Sequence, residues 1–337
     1  MSTLNTTIYY AHRPGFYNEQ QVAIKWFSSE LHKFEWTAPR YLSLFTPHII
    51  RPLDYMELRT GPENPWILCS FVVFEMLEKL GWLDFRTPDD TRVVMKSLLD
   101  ALATCHSVRR PVVHGDVSLS NLMVRPSTGE VVLIDFGMSV PQWPDEDERP
   151  DNDPYVDHSL MSTVGYAFWA QHSSPIRGRT PYMPPEMIDG SYTPRKTTDG
   201  RGWRLGWNDD SSIDIWSAGV VFAGLLCGDH HVVTQARPGQ DQWWLVEERD
   251  REKGIEAVQS WCNGNGATRV RQVCVERGWS DEDITGAIDF MLSMLVIEPS
   301  GRSKAVDLIH HPWLSSVPRC LSRFSWYLKG EVGLVEN

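Results

Sequence analysis

The stretch that most constrains this 337-residue chain lies in its middle, where two short apolar runs flank a turn and each is bordered by an oxygen-bearing side chain. Leu122-Met123-Val124 and Val131-Val132-Leu133-Ile134 are β-rich, and Arg125-Pro126-Ser127-Thr128-Gly129-Glu130 between them has the composition of a turn, so the spacing predicts a hairpin. Asn121 precedes the first strand and Asp135 follows the second, and antiparallel pairing brings both to one end. Asp116 lies in the loop that feeds that end. One carboxamide and two carboxylates therefore converge. Hard oxygen donors of this kind suit Mg²⁺ and the phosphates that accompany it.

The rest of the chain supplies a large scaffold for such a site. Its length fits one large two-lobed domain or two small ones, and 42% hydrophobic residues is the composition of a globular protein. A net charge of −12 argues against nucleic acid and against an anionic membrane surface as partners. The cysteines (Cys69, Cys105, Cys227, Cys262, Cys274 and Cys320) show no metal-binding spacing and scatter through apolar surroundings, as buried thiols in a reducing compartment do. No charged-then-apolar leader opens the sequence, and the nearly apolar run from Ile215 to Gly228 is too short to span a bilayer. That run is expected to be a buried helix, and cytosol or nucleus is the expected compartment.

Residues 1–27 alternate as strands do, with Val22-Ala23-Ile24-Lys25-Trp26-Phe27 the clearest case. Ser28 and Ser29 can cap a helix from Glu30, which Pro39 would kink or end. A second strand-rich region runs from Trp66 to Leu77. From Asp89 to Ser107 the spacing is helical, with Val93, Val94, Leu98, Leu99 and Leu102 on one face. Helices and long loops follow, so a β-rich part precedes a helical one, which is an α+β pattern.

In this order the motifs resemble the eukaryotic protein kinases, Ser/Thr type, across nearly the whole chain. His114-Gly115-Asp116 with Asn121 resembles the catalytic loop, and Asp135-Phe136-Gly137 the metal-binding triplet. Val22-Ala23-Ile24-Lys25 resembles the strand carrying the ATP-binding lysine. Phe74-Glu75-Met76-Leu77 resembles the hinge, whose Glu75 and Leu77 backbone groups would bond the adenine, with Phe74 as gatekeeper. Thr180-Pro181-Tyr182-Met183-Pro184-Pro185-Glu186 looks like the end of an activation segment, and Asp214-Ile215-Trp216-Ser217-Ala218-Gly219 like the start of the buried central helix. Glu298-Pro299-Ser300-Gly301-Arg302 carries the arginine expected to pair with Glu186.

The resemblance implies a bilobal fold forming a single domain over 1–337. A small N-lobe covers 1–74 with a truncated first strand, a hinge 75–78, and a large helical C-lobe 79–337 with insertions at about 141–178 and 190–213, the latter read as an exposed loop. It implies ATP and Mg²⁺ as cofactors and a protein as substrate; it leaves the oligomeric state open. It also implies roles. Asp116 takes the substrate proton, Asn121 and Asp135 hold the metal, and Lys25 contacts phosphate. Either Glu30 or Glu35 holds Lys25, with Glu35 favoured. His114 and Asp214 support the catalytic loop, and Thr180 belongs to the substrate-facing loop.

The sequence also departs from the family. The window Thr3 to Tyr10, where a Gly-rich loop would lie, has no glycine, and the first glycine is Gly15. Gly115 replaces the usual arginine that pairs with a phosphorylated activation loop, so phosphorylation at or near Thr180 is not expected to be needed for activity. A large gain in rate on phosphorylating that segment would overturn this. Ser118 stands where Ser/Thr kinases place a lysine. The acidic stretch from Pro144 to Asp157 reads as a solvated loop. The missing glycines and Ser118 also suit a pseudokinase or scaffold with little turnover. His-Gly-Asp is shared with aminoglycoside and choline kinases, but those lack the Thr180–Glu186 and Asp214–Gly219 segments and the arginine matching Arg302.

Overall fold

The computed structural model describes residues 8–12, 21–27, 34–59, 67–80, 87–108, 111–141, 180–188, 195–196, 203–204, 211–229, 231–234, 248–315 and 317. The calls on Thr3–Thr7, Gly15, Ser28, Ser29, Glu30, the acidic stretch 144–157 and Cys320 lie outside these residues.

The N-terminal part is a four-stranded antiparallel sheet ordered β1-β2-β4-β3, with β1 Ile8–His12, β2 Gln21–Phe27, β3 Pro52–Arg59 and β4 Ile67–Glu75. One helix, α1 Phe34–Leu42, accompanies it, and Trp36 of α1 stacks on Tyr55 of β3 with ring centroids 5.7 Å apart. Pro39 does not end this helix, which runs on to Leu42. Proline can keep a helical φ, so the cost is one lost backbone bond rather than termination, and Ser43 N–H donates to the Pro39 carbonyl at 2.9 Å to close the last turn.

After β5 Glu78–Lys79 the chain enters α2 Pro88–Ser107. Thr87 caps α2: its Oγ1 accepts from Asp90 N–H at 3.3 Å while Thr87 N–H donates to Asp90 Oδ2 at 3.2 Å, a reciprocal capping box. Thr87→Ala is expected to cost about 1 kcal/mol in denaturant unfolding. Burial of α2 is wider than the predicted stripe. Thr91, Arg92, Met95, Ser97, Ala101 and Cys105 are buried too, whereas Val93 is only half-buried. The helix lies inside a helical layer, so more than one face is covered.

The predicted hairpin forms from β7 Leu122–Val124 and β8 Val131–Leu133, in the register Leu122↔Leu133, and β5 adds to it in the order β5-β7-β8. Beside it, β6 Val112–Val113 pairs with β9 Val140–Pro141. A short helix, α3 Pro185–Ile188, follows. Within the range read as an exposed loop, β10 Arg195–Lys196 pairs antiparallel with β11 Trp203–Arg204, a hairpin that Asp199-Gly200 could have signalled.

The next helix, α4 Ser211–Cys227, begins inside that same range and is buried from Ser212 to Leu226, as its apolar run predicts. Of the helices that follow, α5 Glu248–Ser260 packs against α3, α6 Gly266–Glu276 and α7 Asp281–Met294 pack against α4, and α8 Ala305–Leu308 packs against α2. Phe222 of α4 meets Phe290 and Trp313, each with centroids 5.1 Å away. The core continues from these rings through α2 to the hairpin and Phe136. The described cysteines are free thiols, and burial pushes Cys227, Cys262 and Cys274 up to about 11. No helix among the described residues is long and apolar enough to cross a membrane.

Candidate active site

The hairpin register sets the centre of the site. Ile134 N–H donates to the Asn121 carbonyl at 2.9 Å, so Asn121 and Asp135 stand at one end of the β7–β8 pair, as the sequence spacing requires. Asn121 is buried and donates through Nδ2 to the Asp116 carbonyl at 2.8 Å and to Asp116 Oδ2 at 2.9 Å. Committing the amide nitrogen in this way makes its carboxamide oxygen the ligand atom that remains. Asp135 has a left-handed backbone, φ 65°, and is the one non-glycine residue of that kind among those described. Left-handed backbone at an Asp costs energy that the surrounding structure must hold, and such strain gathers at functional positions.

The sheet delivers the cation. Lys25 on β2 bonds Glu35 on α1 and, at 2.8 Å, Asp135 Oδ1. Of the two glutamates the sequence offers, Glu35 sits against Lys25, and Glu30 lies outside the described residues. Burial works against the Lys25 charge, but the Glu35 and Asp135 carboxylates outweigh it and hold its pKa above the ordinary value. One ammonium is shared by two carboxylates, Glu35 buried and Asp135 half-buried. Asp135 is held well below the usual carboxylate range by Lys25 against the cost of its burial. Glu35 is pushed up to about 8, chiefly by burial and then by Asp135. Gly137 makes the approach possible: a Cβ there would lie 2.8 Å from Glu35 Oε1.

The loop before Asp116 is fixed from beneath. Asp214 of α4, fully buried, accepts from His114 N–H at 2.8 Å and Gly115 N–H at 2.9 Å, and its carboxylate also contacts His106 Nε2 at 2.9 Å. The His114 ring packs edge-on to Phe136 at 4.8 Å, with Nε2 facing the Ile134 carbonyl at 3.0 Å and Nδ1 accepting from Asp116 N–H at 3.3 Å. Gly115 is left-handed, φ 75°. Gly115→Ala is therefore expected to cost about 1 kcal/mol or more, seen as a lowered midpoint in thermal or urea unfolding. Ser118 is buried and shares a hydrogen bond with Ser120 at 2.9 Å.

Three other predicted positions, Glu186, Arg302 and Thr180, lie on later elements. Glu186 of α3 and Arg302 form a bidentate pair, 2.7 Å at each contact, with Arg302 fully buried. Thr180 heads a single turn, Thr180–Tyr182, ahead of α3. At the other edge, β4 ends at Glu75 and β5 starts at Glu78, leaving Met76 and Leu77 as the link, with Leu77 and Phe74 buried. Sequence reasoning missed Arg125. Its guanidinium grips the Glu75 carboxylate, and no local pattern announces a contact across 50 residues.

The donors fit Mg²⁺ and a polyphosphate. The Asn121 carboxamide oxygen and the Asp135 carboxylate are hard oxygen donors at one end of the hairpin, and Lys25 beside them supplies a fixed positive charge.

Comparison with known proteins agrees with this layout. The family described as protein kinase domain matches residues 18–314. Among curated proteins, the chain is 26% identical over 280 residues to the calcium/calmodulin-dependent protein kinase cmkA of Emericella nidulans, covering 80% of this chain and 49% of that protein. It is 24% identical over 275 residues to cyclin-dependent kinase 12 of Drosophila melanogaster, covering 78% of this chain and 20% of that one. It is 23% identical over 244 residues to the serine/threonine-protein kinase KIN28 of Saccharomyces cerevisiae, covering 69% and 63%. The chain thus spans about half or less of the first two of these relatives.

Proposed function

We propose, because this chain belongs to the protein kinase domain family, that it is an ATP- and Mg²⁺-dependent kinase acting on Ser or Thr of protein substrates. Its domain is read as one unit, 1–337, with an N-lobe over 1–74, a hinge at 75–78 and a C-lobe over 79–337. The observation that carries the proposal is the Lys25 ammonium seated between Glu35 and Asp135, at the end of the hairpin that holds Asn121 and Asp116. Phosphoryl transfer needs positioning and charge compensation more than covalent help, and both parts of that arrangement must be in place together.

In this reading Asp116 accepts the proton of the substrate hydroxyl as its oxygen bonds the γ-phosphorus. The bond from that phosphorus to the β–γ bridging oxygen breaks, and ADP leaves. Asn121 holds Asp116 in position through two hydrogen bonds. Lys25, oriented by Glu35, receives phosphate oxygens. Asn121 and Asp135 would hold Mg²⁺, which when bound offsets the charge on the β- and γ-phosphates. The backbone of Glu75 and Leu77 would meet the adenine. Glu186, Arg302 and Asp214 support the loops that carry these groups, and Thr180 stands on the substrate side.

Mg-ATP is expected to raise the unfolding midpoint, with about 2.7 kcal/mol of stabilisation at a hundredfold excess over Kd. Absence of any shift would count against the nucleotide site itself. The buried Ser118, in the place of a lysine, favours a second reading in which nucleotide binds but turns over slowly. A shift with Mg-ATP but no transfer of labelled γ-phosphate to any protein, itself included, would select it.

A further inference from the structure

The link between the two parts of the molecule is very short. Only Met76 and Leu77 separate the last residue of β4 from the first of β5. Both ends of this link are tied to one strand of the hairpin. At the far end, Glu78 and Lys79 pair with Val124 and Met123 of β7. At the near end, Arg125, the next residue after Val124, donates from Nε to Glu75 Oε2 at 3.0 Å and from Nη2 to Glu75 Oε1 at 2.8 Å. The same Oε1 accepts from Arg51 N–H at 3.1 Å, just before β3. Arg125 Nη1 reaches the Pro47 carbonyl at 3.1 Å and the Glu130 carboxylate. Arg125 and Glu75 are mostly buried, with side chains 16% and 15% exposed. A parallel two-bond fork of this kind fixes orientation as well as distance.

We propose that Arg125 is a positioning residue for the adenine end of the nucleotide site: by clamping Glu75 it sets the Met76–Leu77 backbone that would meet the base. This rests on the kinase reading above. It assigns Arg125 no contact with substrate and no part in the transfer step. Its effect belongs to recognition of the base, separate from recognition of the phosphates by Lys25 and the metal residues.

That separation gives the test. Calorimetric titration of the full chain with adenosine, Mg-ATP and inorganic Mg-tripolyphosphate would compare wild type, Arg125→Ala, Arg125→Lys and Glu75→Gln. In Arg125→Ala, adenosine and ATP should bind about tenfold more weakly, while tripolyphosphate affinity stays within twofold, because a charge-assisted fork is lost at the base end alone. In the transfer assay KM for ATP should rise by a similar factor with kcat at saturation little changed. Arg125→Lys should recover only part of the loss, since one ammonium cannot replace a two-bond fork. If Arg125→Ala does not fold, Arg125→Lys and Glu75→Gln carry the same comparison. Unchanged adenosine affinity, or an equal loss for tripolyphosphate, overturns the proposal. Wild type that binds neither ATP nor tripolyphosphate overturns the kinase reading instead, and this inference with it.

Discussion

Asp116→Asn is expected to lower γ-phosphate transfer by about 10²- to 10⁴-fold, the range for loss of a positioned proton acceptor. The carboxamide is nearly isosteric with the carboxylate and still offers an oxygen to Asn121 Nδ2, now 2.9 Å from Asp116 Oδ2. Stability and Mg-ATP binding should therefore change little, and the loss should fall on kcat rather than on KM for ATP. The measurement is single-turnover transfer of labelled phosphate at saturating Mg-ATP, with unfolding midpoints taken in parallel. Equal rates for wild type and variant would remove Asp116 from the chemistry.

Arg302→Ala should cost about 3–5 kcal/mol of folding stability, the usual penalty for removing one member of a buried pair. Arg302 is fully buried and donates to Glu186 at both oxygens, 2.7 Å each, to the Val296 carbonyl at 2.8 Å, to the Ile297 carbonyl at 3.0 Å and to the Ser212 carbonyl at 3.2 Å. Its guanidinium also lies 5.0 Å from the Trp216 ring centroid. Truncation strips all of these acceptors at once and leaves a cavity. Arg302→Lys should recover little, because an ammonium cannot span both Glu186 oxygens and three carbonyls. Urea unfolding of the purified variants measures this, and a loss below about 1 kcal/mol would mean that the pair contributes no more than an exposed one does.

Much of this arrangement was legible because its signals are local. The β7–β8 hairpin follows from two apolar runs and a Pro/Gly turn, and its register alone sets Asn121 and Asp135 together. The buried run of α4 and the helical spacing of α2 were equally plain. What stayed hidden depends on distant partners or on backbone angles. The sequence offers both Glu30 and Glu35 as helix-borne acids, with Glu35 favoured by its place along the helix, and the fold brings Glu35 against Lys25. Arg125 looks like an ordinary turn residue until the end of β4 is seen against it. Gly115 suits its left-handed backbone and Asp tolerates it better than most side chains, but neither identity compels that conformation, so the sequence alone does not announce it at Asp135. Pro39 does not end α1, because a local rule about proline gives way to the helix around it.

The turn after α1 is fastened to the larger part of the molecule. Leu133 N–H donates to the His48 carbonyl at 2.8 Å, Ile50 N–H donates to the Leu133 carbonyl at 3.0 Å, and Thr46 bonds Asp100 of α2. The far end of α1 carries Glu35 in its first turn. The helix is thus a lever with its fulcrum at Leu42 and its working end about 10 Å away at the carboxylate, from the helical rise per residue. A tilt of about 20° at the fulcrum would carry Glu35 about 3.5 Å, by the same helical dimensions, and part it from Lys25.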